Sequence, residues 1–218
     1  MERMVTAKPH TQSRTVWRNV HFASGLLLAV FVGTHLTNHL LVLISPAAHI
    51  AFMTAARVVY RNPLIEVVLL AAVLLQIVTG LSLVRKVWRV PKAGWGRLHV
   101  FSGLYLAFFL VIHLTAVLSG RYIFRLDTNL YFGAAGLNQF PLLLFFVPYY
   151  SLAILAFFTH VAAVHHKKMT RRVVGLSVSR QSQLILVVGI VLTISILYGL
   201  TGGFRGLSIP PSSSLLTR

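Results

Sequence analysis

Cysteine is absent from all 218 residues, and that excludes disulfides, thiolate metal sites and an intrinsic iron-sulphur cluster. Charge is scarce as well: Asp, Glu, Lys and Arg make up 11% of the chain, where a soluble domain carries about a quarter. No glycine-rich strand-to-helix fingerprint is present, so nothing in the chain is built to bind FAD. No cleavable signal peptide is expected, because the first apolar run follows about fifteen polar residues and is too long for a signal core; it should persist as a helix. What the chain has is 56% hydrophobic composition, the mark of an integral membrane protein. Any redox chemistry it performs needs a cofactor other than a cluster or a flavin.

Five apolar stretches, near 20–44, 64–84, 98–118, 141–164 and 184–202, are long enough to cross a hydrocarbon core of about 30 Å as helices of around 20 residues. They run on without strict alternation, and a spanning segment must satisfy its backbone internally, so helices are expected rather than strands. The expected fold is an all-α integral membrane protein, a single domain over 1–205 with a flexible tail at 206–218. Residues 119–140, with Gly120, Asp127, Gly133 and Gly136, read as an irregular external connection.

The chain carries 20 Lys and Arg against three acidic residues, and the cations are unevenly shared between the loops. Fourteen, including Arg3, Lys8, Arg14 and Arg18, Arg85 to Arg97, and Lys167 to Arg180, fall on one side. The other side has six: Arg57, Arg61, Arg121, Arg125, Arg205 and Arg218. The excess on the cytoplasmic side predicts a multi-pass inner-membrane protein with the N-terminus cytoplasmic and the C-terminus external. The charge then serves topology and lipid headgroups, and its division among loops argues against nucleic acid.

Residues 17–37, WRNVHFASGLLLAVFVGTHLT, and 95–115, WGRLHVFSGLYLAFFLVIHLT, are near copies at an offset of 78 that share eleven of twenty-one positions. Each holds two histidines fourteen apart, His21 with His35 and His99 with His113. Fourteen helical residues turn through about 1400°, so each pair lies on one face, roughly 21 Å apart along the axis. Two such faces opposed could clamp metal macrocycles.

His35 and His113 lie well inside their helices, where imidazole needs a partner, and they are the first candidates for axial haem ligands; hydrogen bonding to carbonyls or to each other is the alternative. Gly25 and Gly103, four residues after His21 and His99, admit either a flat ring or a neighbouring helix. By spacing alone His21 and His99 predict a second iron; at the aqueous edge they could instead meet haem propionates or headgroups. His160 lies within the fourth span and its counterpart in the second is Gln76, a poor haem ligand, so the partner of His160 is missing or comes from elsewhere. His165 and His166 read as surface residues, and His10 and His49 carry no signal. Glu66, the only carboxylate in a predicted span, could form a quinone headgroup site with His39, or pair with Arg57 or Arg61 at the boundary.

The run RNVHFASGLLLAVFVGTHLTNHL, followed by NPLIEVVLLAAVLLQIVTG, RLHVFSGLYLAFFLVIHL and LAILAFFTHVAAVHHKK, resembles the five-helix, two-haem cytochrome b anchor of succinate dehydrogenase and fumarate reductase over roughly residues 16 to 200. In that family four helices form a haem-binding bundle beside a fifth; the first pairs with the third at the distal haem b and the second with the fourth at the proximal one. The resemblance implies His35 and His113 as distal ligands and His160 as one proximal ligand. Gln76 stands where the family has the other histidine. His21 and His99 fall where the family often has glutamines near the proximal propionates, which implies a supporting role.

The resemblance further implies a subunit that does no dicarboxylate chemistry itself. It would relay electrons between an iron-sulphur subunit and membrane quinone, with that subunit and a flavoprotein docked on the basic cytoplasmic face. Two alternatives stand beside it: a transmembrane dihaem cytochrome of the ferric reductase or NADPH oxidase kind, with irons at His35/His113 and His21/His99, and an anchor that has lost one or both haems.

Overall fold

The computed structural model describes residues 9–88 and 93–211. In chain order the helices are α1 (Pro9–Leu40), α2 (Pro46–Tyr60), α3 (Pro63–Val87), α4 (Gly94–Tyr122), α5 (Leu130–Ala134), α6 (Leu143–Lys168) and α7 (Val178–Leu200), with short 3-10 turns at Leu41–Leu43 and Ala135–Leu137. The protein is an all-α membrane protein: five helices, α1, α3, α4, α6 and α7, are long and apolar enough to cross a bilayer. Cations counted at Arg3, Lys8, Arg89, Lys92 and Arg218, and tail residues 212–218, lie outside the described residues.

Local chemistry sets the helix starts. Ser45 caps α2 by accepting from the Ala48 N–H, with Pro46 in the first turn, and Asn62 caps α3 by accepting from Leu64, followed by Pro63. Side-chain oxygens there satisfy N–H groups that the first turn leaves free, and proline loses nothing at that position. Ser177 does the same for α7, so that helix begins at Val178, ahead of the apolar run at 184. Likewise α1 reaches back to Pro9. Hydropathy marks only where a helix meets hydrocarbon, and helices continue past that boundary through polar residues.

The packing is inverted relative to a soluble protein. Leu26, Val30, Leu74 and Val191 are exposed, whereas Ser24, Thr79, Ser102, Ser182 and Thr193 are buried, as are Ala72, Ala162 and Ala163. Small residues let membrane helices approach closely, and their hydroxyls stay satisfied by donating to the preceding turn, as Ser182 does to Val178 O and Thr193 to Gly189 O. α1 packs along α3, α4 along α6, and α7 closes on α6 and touches α1. α1 and α4, the two copies of the repeat, make no comparably close backbone approach.

Two connections read as loops are ordered parts of the fold. The connection between the first two spans forms helix α2, which buries His49 and Met53. Residues 119–140 contain α5, and Leu130, Ala134 and Leu137 are among the best buried residues, with Leu130 and Leu137 packing against Val42, Ile154, Ile196 and Leu200. The reason is visible at Asn138, whose amide donates to Ala134 O and Leu200 O and accepts from the Leu207 N–H. That last bond also ties down the start of the tail expected to be flexible from Gly206.

Candidate functional site

The histidines form two clusters, one toward each end of the α1/α4 pair. In the first, His35 and His113 face each other from α1 and α4 with ring centres 6.2 Å apart and planes at 67°. Phe31 stacks on His35 and Phe109 on His113, which limits how far either ring can turn. A metal–imidazole bond is about 2.0–2.1 Å, so imidazoles on opposite sides of one ion hold their nitrogens about 4 Å apart and their ring centres a little over about 6 Å apart. The separation of His35 and His113 is of that size.

His35 is also the start of a chain of imidazoles. His39 Nε2 lies 3.2 Å from His35 Nε2, His49 Nε2 lies 3.4 Å from His39 Nδ1, and Asn38 Nδ2 donates to His49 Nε2 at 3.3 Å. His49 is 1% exposed, and its Nδ1 and the Asn38 Oδ1 are buried without a partner. Burial foremost, with His35 and Arg57, lowers the His49 imidazole to about 4. His49 is thus part of the site, although nothing in its sequence position signals it; the only hint is the Ser45 cap with Pro46, which turns the chain back into α2. A recess of about 20 Å³ beside His35, bounded by Asn38, Met53 and Tyr60, is the size of one water.

The quinone pairing of Glu66 with His39 is not assembled. Glu66 is held by Arg121 of α4, through Nη1 to Oε1 at 2.5 Å and Nη2 to Oε2 at 3.4 Å, the two-pronged arrangement that guanidinium makes with carboxylate. Nor do Arg57 and Arg61 take Glu66: Arg57 pairs with Asp127 at 2.8 Å, and Arg61 donates to Thr128 Oγ1. Cations at the end of α2, Arg57 within it and Arg61 just past it, instead fasten residues 127–128, and burial with the nearby Arg57 and Arg121 lowers the Arg61 guanidinium from its ordinary value.

The second cluster gathers His21, Gln76, His99 and His160. Ser24 approaches Gln76 Oε1 at 3.3 Å, and a Cβ on Gly25 would stand 2.6 Å from the Gln76 amide nitrogen. Ser102 approaches His160 Nδ1 at 3.3 Å, and a Cβ on Gly103 would stand 3.1 Å from His160 Cε1. The repeat therefore makes the same contact twice, a Ser-Gly step receiving Gln76 in one half and His160 in the other. His99 lies against His160 with ring centres 4.5 Å apart, and His21 faces His160 at 6.5 Å. His165, half-buried, bonds to Gln181, and His166 stacks on Trp95, so neither is a free surface side chain.

Among the described residues no three His, Asp or Glu side chains converge as a bare metal ion would require; a haem iron asks the protein for two axial nitrogens at most. No protein-family model, no curated protein and no solved structure matches the chain.

Proposed function

We propose that the chain is a haem b membrane anchor of a succinate:quinone oxidoreductase or fumarate reductase, relaying electrons between an iron-sulphur subunit and membrane quinone. The observation that carries the haem reading is the His35–His113 pair, whose rings face each other 6.2 Å apart from the two repeated helices α1 and α4. His35 and His113 would hold the haem iron. When bound, the haem would supply a one-electron iron couple. The protein's part is to aim two neutral imidazoles, hold them with Phe31 and Phe109, and keep lipid and water from the rings. His35 must release its bond to His39 to present Nε2.

The assignment to the succinate and fumarate enzymes rests on the order of the four histidine and glutamine positions along the helices. The basic segments around Arg85 and Lys167 would then face the cytoplasm and dock the iron-sulphur and flavoprotein subunits. Against the dihaem alternative with an iron between His21 and His99, the ring that His21 faces at a metal-sharing distance is His160.

Purification of the full chain from a haem-sufficient host should show b-type absorbance in the reduced-minus-oxidised spectrum and bring down a flavoprotein and an iron-sulphur protein. His113→Ala should remove one haem per chain. A chain without b-type absorbance would sink the haem reading and leave the scaffold; one that carries haem but retains no such partners would sink the assignment to this class of complex.

A further inference from the structure

The position opposite His160 falls on Gln76, yet the structure brings a different nitrogen there. His21 and His160 stand 6.5 Å apart with planes at 71°, almost the relation of His35 to His113, 6.2 Å and 67°. Both separations suit two imidazoles sharing one metal, by the bond lengths given above.

The hydrogen bonds prepare the same two rings. Thr79 donates its hydroxyl proton to Leu75 O, so at 2.8 Å from His21 Nδ1 it accepts the ring N–H. That assigns the proton of neutral His21 to Nδ1 and leaves a lone pair on Nε2. Ser102 likewise donates to His99 O and accepts from His160 Nδ1, leaving the lone pair of His160 on Nε2. A second bond that fixes the tautomer is the usual support of a metal-bound histidine. Each ring also lies on a glycine: a Cβ on Gly80 would stand 3.2 Å from His21 Cε1, and one on Gly103 3.1 Å from His160 Cε1.

The rivals fail on geometry or chemistry. His99 at 4.5 Å from His160 leaves no room for an iron between the rings. Gln76 sits over Gly25 beside Ser24, and an amide is a weak ligand to haem iron. In the second half Ala163 occupies the place equivalent to Thr79, so His99 lacks the hydroxyl that orients His21.

We propose that His21, in place of Gln76, is the axial partner of His160 at a second haem, so that α1 supplies one ligand to each of two haems. This rests on the haem-binding function proposed above. Thr79 is a positioning residue that holds His21 in the ligating tautomer.

The test uses the full chain purified with haem, read by haem content and by ferric EPR. Two haems per chain are expected, both low-spin and both with the strongly anisotropic signal of steeply crossed imidazole planes. His21→Ala should lose one haem or turn one high-spin while sparing the haem lost in His113→Ala; Gln76→Leu should keep both low-spin. Thr79→Val should weaken retention of the same haem by about 10- to 100-fold, and Thr79→Ser should restore it. Should His21→Ala fail to fold, near-infrared magnetic circular dichroism of the unaltered protein still decides, since bis-imidazole ligation of both irons is required. A single haem, or two that survive His21→Ala unchanged, or a low-spin signal lost in Gln76→Leu, overturns the assignment of His21 while the first haem stands. Absence of b-type absorbance overturns the haem reading beneath it.

Discussion

Which ring nitrogen carries a proton decides what each histidine can do. Thr79 and Ser102 take up Nδ1 of His21 and His160, whereas His35 spends Nε2 on His39. His35 would therefore have to rearrange to offer Nε2 to a ligand, whereas the Nδ1 bonds of His21 and His160 leave the lone pair of each on Nε2. His49 has a further consequence at this scale. Its imidazole, facing His35, His39, Asn38 and Arg57, titrates at about 4 in the fold against about 6.5 in the unfolded chain. A folded pKa depressed in this way favours the neutral form, so its stabilisation is complete above about pH 6.5 and drains away as pH falls toward 4, by up to about 3 kcal/mol. The thermal midpoint in detergent should fall between pH 7.5 and pH 4.5, and by clearly less in His49→Gln. An equal fall in both proteins would remove His49 as the cause.

At the scale of elements, small residues govern how helices meet. Gly189 on α7 faces Phe158 on α6, and a Cβ there would lie 2.5 Å from Phe158 Cβ, an atom fixed to the backbone that cannot swing away. Gly189→Ala should push the two helices apart and cost about 1–3 kcal/mol, measured as a lower unfolding midpoint; Gly33→Ala, with no atom within 4 Å of its Cβ, serves as the control that should move little. The repeat was legible in the sequence because a helix presents its fourteen-residue partners on one face. The role of α2 was not, since a fifteen-residue helix between two spans is too short to stand out by hydropathy. Its cap, Ser45 with Pro46, was readable; its burial of His49 depends on α1 and could not be read from either segment alone.

The whole molecule is asymmetric in charge along the membrane normal. Five spans would put the two ends of the chain on opposite faces, and the excess of Lys and Arg on the loops after α3 and α6 predicts that those loops are cytoplasmic. Because the chain has no cysteine, single replacements report without background. Arg125→Cys should react with an impermeant maleimide in intact cells, and Arg172→Cys only after lysis. The reverse pattern would invert the topology and detach the basic loops from any cytoplasmic partner.

Composition and periodicity determined the membrane class, the five spans and the inward face of the repeat, because these follow from hydrophobic length and from a fixed turn per residue, properties each segment carries by itself. They also singled out His35 with His113 and exposed Gln76 as the odd position. Only the tertiary structure decided that Glu66 belongs to Arg121, that His49 enters the buried imidazole chain, and that His21, held by Thr79, joins His99 around His160. Those choices turn on which helices touch and on a hydroxyl at Thr79 where the other half has Ala163. A local sequence does not contain such information, because the partner of a side chain is set by packing between segments far apart in the chain.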